Sequence, residues 1–179
     1  AGSGNVARFS LAGTFSTVMS QILSVGLGEA VVSNDPRAVL VAYGLGSCLG
    51  VAIYDPVSRL AGLLHAVLPI NGNGHQDNPY KYVDSGIQAL IEAMEAAGGQ
   101  RRYFIVKLVG GANMLLSSAL SHTFEIGTRN VQAAYRVLET LNLKVTGAEV
   151  GGNVGRTVKL FVESGKRVVR QIGGVEQTL

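Results

Sequence analysis

The densest group of chemistry-bearing residues in this chain is Gly44-Leu45-Gly46-Ser47-Cys48-Leu49-Gly50. Glycines at this density let the backbone turn sharply and approach a ligand closely. A cysteine on such a turn is presented at a strand end. The backbone N–H groups of Ser47 and Cys48 can then point into one space, as an oxyanion site requires, with Gly46 a further candidate for that pocket. His65 follows on the return strand if residues 49–54 and 60–68 pair about the turn Asp55-Pro56-Val57-Ser58. That pairing places His65 near the start of the first strand, and so near Cys48, with a register sensitivity of one residue. The juxtaposition matters because the thiolate is the nucleophile. A free thiol of pKa about 8.5 is only a few per cent ionised at neutral pH, and a neighbouring imidazolium raises that fraction. On spacing alone a plainer reading stands beside this one: free cysteine is among the most buried residue types, and a histidine in an apolar strand is commonly a hydrogen-bonded core residue.

Other chemistries fit less well. The glycine loop is not G-x-G-x-x-G and lacks the lysine of a phosphate loop, which argues against a nucleotide site. Cys48 is the single cysteine, so an intramolecular disulfide and a Cys-based zinc site are excluded, and a reducing compartment is the simpler expectation. The three histidines, His65, His75 and His122, are dispersed without spaced carboxylates, so neither metal nor cofactor is expected. Three later glycine clusters surround Asn113, Asn130 and Asn153. They read first as turns, and alternatively as a pocket floor offering amide hydrogen bonds to a substrate.

The elements that must position these residues emerge from patterning. The 179 residues suit one domain, and 47% hydrophobic content provides for one large core. Glycine is in excess, 24 of 179 residues against a usual share of roughly 7%. The net charge of +3 is scattered, with Arg101-Arg102 and Lys166-Arg167 the adjacent basic pairs, so nucleic-acid binding is not expected. No apolar run reaches roughly 18 residues, so no inserted membrane span is expected. Ala1-Gly2-Ser3-Gly4 resembles a vector-derived scar, and Leu11, Phe15, Val18, Met19 and Ile22 recur at helical spacing. Residues 1–24 therefore read as a tag-derived or accessory segment, and residues 25–179 as a single domain.

Strands are expected over 38–43, 49–54, 60–68, 103–109, 143–150, 157–162 and 167–172. A helix is expected from Pro79, capped by Asn78, to Gly98-Gly99, with Val83, Ile87, Leu90, Ile91 and Met94 on its apolar face. A second helix is expected from about Thr128, with Val131, Ala134, Tyr135, Leu138 and Leu141 sharing a face. This order is not the strict alternation of a doubly wound parallel sheet. It predicts an α+β fold with a mixed sheet and helices on one side.

The ordered set of motifs resembles the CheD family of chemoreceptor glutamine deamidases. Gly44-Leu45-Gly46-Ser47-Cys48, Tyr54-Asp55-Pro56 and His65-Ala66-Val67-Leu68-Pro69 come first. Gly110-Gly111-Ala112-Asn113-Met114, Ile126-Gly127-Thr128-Arg129-Asn130, Gly151-Gly152-Asn153 and Gly173-Gly174 follow in the same order, so the resemblance runs from about Val25 to Glu176. It implies a layered α/β/β fold shared with toxin-type deamidases, and a Cys–His–Thr catalytic group. Cys48 and His65 match as nucleophile and base. The family threonine stands six residues before the cysteine, where this chain has Ala42. The resemblance further implies a cytoplasmic enzyme that converts receptor glutamines to glutamate, with chemoreceptor cytoplasmic helices as substrate and a CheC-type phosphatase as a partner. The departure at Ala42 leaves open a weakly catalytic or non-catalytic adaptor that binds receptors, such a phosphatase, or both.

Overall fold

The computed structural model describes residues 7–11, 19–72, 78–114 and 125–179. In chain order the strands are β1 (Arg8–Ser10), β2 (Gln21–Ser24), β3 (Glu29–Ser33), β4 (Ala38–Leu45), β5 (Leu49–Asp55), β6 (Leu60–Ala66), β7 (Ile105–Gly110), β8 (Val145–Val150), β9 (Arg156–Phe161), β10 (Arg167–Gln171) and β11 (Glu176–Thr178). The helices are α1 (Val83–Ala96) and α2 (Ile126–Thr140). The strands form two mixed sheets, ordered β1-β3-β6-β5-β7-β8 and β11-β10-β9-β4-β2.

β5 and β6 are buried along their whole length, which is why they read as apolar runs rather than as alternation. Their two faces nevertheless enter different layers. Val51 and Ile53 of β5 and Leu60 and Leu64 of β6 pack under Ile87, Leu90, Ile91 and Met94 of α1 and Ala134 and Leu138 of α2. Ala52 and Tyr54, with Ala61 and Leu63, face the second sheet and meet Leu40, Ala42, Leu45, Val158 and Leu160. The molecule is thus helices on sheet on sheet, and the α+β expectation with helices on one side holds. Gly62 of β6 lies under α1, where a Cβ would stand 2.6 Å from the Met94 sulfur, so the helix rests directly on the strand backbone.

The β5–β6 hairpin takes the expected register. Gly50 pairs with His65 and Leu49 with Ala66. Asp55 Oδ1 closes the turn by accepting from the N–H groups of Val57 at 2.9 Å and Ser58 at 3.2 Å.

Three expectations need correction. Pro79 does not open the long helix. Pro79–Lys81 is a separate 3-10 turn capped by Asn78, whose Oδ1 accepts from Tyr80 N–H at 3.1 Å. Tyr82 is extended and bridges to Leu68, and α1 starts only at Val83, because that bridge holds the chain out of helical geometry. Ile22, read at helical spacing with Leu11, Phe15, Val18 and Met19, lies in a strand, while Phe15 and Val18 lie outside the described residues. β2 pairs in parallel with β4 from Gln21 to Ser24, and β1 pairs in parallel with β3. The strand expected from Tyr103 begins at Ile105, after a 3-10 turn over Arg101–Tyr103. Three short strands, β1, β3 and β11, were not read from the sequence at all. His75 and His122 lie outside the described residues.

Candidate active site

Cys48 sits where the chain leaves the second sheet for the first. β4 ends at Leu45, β5 begins at Leu49, and residues 46–48 are the crossing. Gly44 has φ +64°, a left-handed conformation in which glycine carries no steric cost. The Gly46 N–H closes the turn by donating to Gly44 O at 3.0 Å, so it is occupied within the turn.

The three carbonyls of the crossing are each held. Gly46 O accepts from Ala112 N–H at 2.8 Å, and Cys48 O accepts from Gly111 N–H at 2.8 Å. Ser47 O accepts from Asn130 Nδ2 at 2.8 Å. In a trans peptide the carbonyl of one residue and the N–H of the next point in opposite directions. Each N–H, of Ser47 and of Cys48, therefore points away from the partner that anchors the carbonyl of its own peptide. Among the described residues, no other backbone carbonyl accepts from either of them. The Cys48 N–H lies close enough to its own sulfur to favour the thiolate.

Cys48 is half-buried against the inter-sheet layer. Burial dominates its titration and pushes the thiol above its ordinary value, with its own N–H opposing in part. His65 is buried, 2% exposed, and shares its strand face with Leu63 and Ala61, so its ring faces the same layer. Its Nδ1 stands 3.0 Å from Val25 O. A carbonyl only accepts, so Nδ1 carries the proton and Nε2 keeps its lone pair. Nε2 is buried with no hydrogen-bond partner among the described residues. Burial pushes the His65 pKa below its ordinary value, with the Val25 carbonyl and the Glu29 charge opposing. Burial thus acts on both groups and disfavours both charges, which runs against the expectation of a neighbouring imidazolium.

The family match and the named relatives agree on one family. Residues 67–171 match the family described as CheD chemotactic sensory transduction. A relative from Symbiobacterium thermophilum, named "Probable chemoreceptor glutamine deamidase CheD", is 41% identical over 158 residues, covering 87% of this chain and 96% of its own. One from Thermotoga maritima, named "Chemoreceptor glutamine deamidase CheD", is 37% identical, covering 86% of this chain and 94% of its own. The chain belongs to the CheD family. The family match itself begins after Cys48 and His65, whereas an alignment covering 87% of 179 residues necessarily includes both. Among solved structures, Bacillus licheniformis hypothetical protein YfiH overlaps at a TM-score of 0.40 and 15% identity, over 78% of this chain and 62% of that one.

The hydroxyl that the resemblance led us to expect at position 42 is absent, the residue there being Ala42. Ala42 is fully buried, pairs with Val158, and faces the inter-sheet layer that His65 also faces. Tyr43, the next hydroxyl along the strand, is 53% exposed on the outer face and cannot substitute. The Val25 carbonyl orients the ring instead.

The asparagines separate by role. Asn130 is fully buried, and its amide nitrogen serves both Ser47 O and Val67 O, so it offers no donor to a substrate. Asn113 donates to Thr128 Oγ1 at 2.8 Å, and Asn153 is exposed in a bend. Sequence reasoning missed Val25, because a main-chain acceptor leaves no side-chain signal. Among the described residues no three His, Cys, Asp or Glu side chains gather as a metal site would require, and no helix is long and apolar enough to cross a membrane.

Proposed function

We propose that this chain is a protein-glutamine deamidase of chemoreceptors, working by covalent catalysis at Cys48. The observation that carries the reading is His65, whose Nδ1 is tied to Val25 O while Nε2 is left as an unengaged lone pair in the layer that Cys48 adjoins. The Cys48 sulfur attacks the side-chain amide carbon of a receptor glutamine as Nε2 takes the thiol proton. The N–H groups of Ser47 and Cys48 receive the oxyanion. Collapse of the tetrahedral intermediate breaks the C–N bond, His65 returns the proton, and ammonia departs. Water, deprotonated by His65, then hydrolyses the thioester to glutamate and restores the thiol.

The substrate class comes from the relatives' names. Receptor cytoplasmic helices as the site of action imply a cytoplasmic protein. Ala42 favours a second reading, an adaptor that binds receptors or a CheC-type phosphatase with little turnover. Mass spectrometry of a receptor cytoplasmic fragment incubated with the protein separates the two. The expected result is the mass gain of exchanging an amide NH2 for OH at particular glutamines. No gain on any cognate receptor leaves the adaptor.

A further inference from the structure

Asn130 occupies an unusual place between the two strands that carry the reactive pair. The β5–β6 ladder ends at Leu49 and Ala66, and the next residues outward are Cys48 and Val67. Just beyond that last pair the Asn130 amide nitrogen reaches across, donating to Ser47 O at 2.8 Å and to Val67 O at 3.0 Å. One NH2 group thus uses both hydrogens, one on the peptide that precedes Cys48 and one two residues past His65. Its Oδ1 is buried with no partner among the described residues, and the reverse amide orientation would set that oxygen against two carbonyls.

The helix that delivers Asn130 is held very close. A Cβ on Gly127 would stand 2.3 Å from Ala112 O, and one on Gly111 would stand 2.4 Å from the Val131 side chain. This contact fixes α2 against the segment whose N–H groups hold Gly46 O and Cys48 O. The Ser47 carbonyl is the one carbonyl of the crossing anchored by a side chain, and the opposite end of that same peptide is the Cys48 N–H.

We propose that Asn130 is a positioning residue of the reaction: by anchoring Ser47 O it aims the Cys48 N–H at the oxyanion, without touching substrate. The inference rests on the deamidase reading and adds a residue to its machinery. Loss of the anchor lets the Ser47–Cys48 peptide rotate and costs the oxyanion one donor, while the thiol stays in place.

The test compares two reactions of one sulfur. Deamidation of a receptor cytoplasmic fragment builds an oxyanion. Alkylation of Cys48 by iodoacetamide displaces iodide at a saturated carbon and builds none. In Asn130→Ala, kcat is expected to fall by about 100-fold, as for removal of one oxyanion donor. KM and the alkylation rate are expected to stay within about twofold of wild type. Asn130→Asp keeps the volume but presents oxygen to the two carbonyls, and the same split is expected. Thermal unfolding establishes the folded fraction to which both rates are normalised. Alkylation falling in step with kcat, or kcat at the wild-type level, overturns the proposal. If the wild type itself does not deamidate the fragment, the deamidase reading fails and takes this inference with it. If the wild type is active and the variants match it, the inference fails alone.

Discussion

The Nδ1 of His65 lies 3.0 Å from the carbonyl oxygen of Val25. Val25 extends β2, and its own N–H donates to Val41 O at 2.8 Å, so the acceptor is held by the parallel pairing of β2 with β4. The His65 carbonyl in turn accepts from Gly28 N–H at 2.8 Å. The ring is thus oriented by main chain, a role that triads of this kind give to a third side chain. Main chain has an advantage here, since a carbonyl fixes the Nδ1–H tautomer at no side-chain entropy cost.

The first prediction concerns Ala42→Thr. A hydroxyl restored at the family position would compete for a ring that Val25 already holds, and it would enter a fully buried site. Overpacking of this kind costs about 1–3 kcal/mol. The expected outcome is a lower denaturation midpoint with kcat within about threefold of wild type. A tenfold or greater rise in kcat would show that the missing hydroxyl, not the carbonyl, limits orientation.

Acid stability provides the second. Burial lowers the His65 pKa in the folded state, so the unfolded chain binds that proton first. Stability from this group is therefore fully present above the unfolded value of about 6.5 and declines as pH falls from there to the lowered folded value. Asn at position 65 keeps a donor for Val25 O and removes the titration. Urea midpoints measured between about pH 5 and pH 7 should slope less in His65→Asn than in wild type. Parallel slopes would mean that the histidine is not buried neutral.

Cys48 yields the third. Desolvation raises its thiol pKa, so the free enzyme does not store a thiolate. The rate of iodoacetamide alkylation should rise with a midpoint above the ordinary thiol value of about 8.5. Cys48→Ala should lower deamidation by at least about a thousandfold while leaving receptor binding intact. A midpoint near neutrality would indicate a preformed thiolate–imidazolium pair.

What could be read in advance follows from how locally each feature is encoded. The pairing of Gly50 with His65 was legible because Asp55-Pro56 sets a short turn and a turn sets the register. The two helices were legible by their apolar spacing, whereas the start of α1 was not, because the Leu68–Tyr82 bridge joins residues far apart in sequence. β3 offers only Ala30-Val31-Val32 as a signal, too short to stand out, yet it lies beside β6 and sets Glu29 opposite His65. Cys48, His65 and the gap at Ala42 were visible as residue types. Val25 and the bracing role of Asn130 were not, since one acts through a carbonyl and the other through contacts that exist only once α2 has docked.

The last prediction tests how tightly the crossing is held from behind. Gly110 ends β7 at φ +108°, a conformation that side chains rarely adopt, and a Cβ there would stand 2.4 Å from Cys48 O. That oxygen is the acceptor for Gly111 N–H, one of the bonds that fix the loop. Gly110→Ala must therefore move either β7 or the nucleophile's own carbonyl. Strain and a lost hydrogen bond together should cost about 2–4 kcal/mol of stability. The catalytic effect should exceed the stability effect, because a displacement of about 1 Å at a reacting group can cost about 100-fold in rate. Activity measured per folded molecule distinguishes the two. A variant that is destabilised but fully active would show that the Cys48 carbonyl can shift without disturbing the sulfur or its N–H.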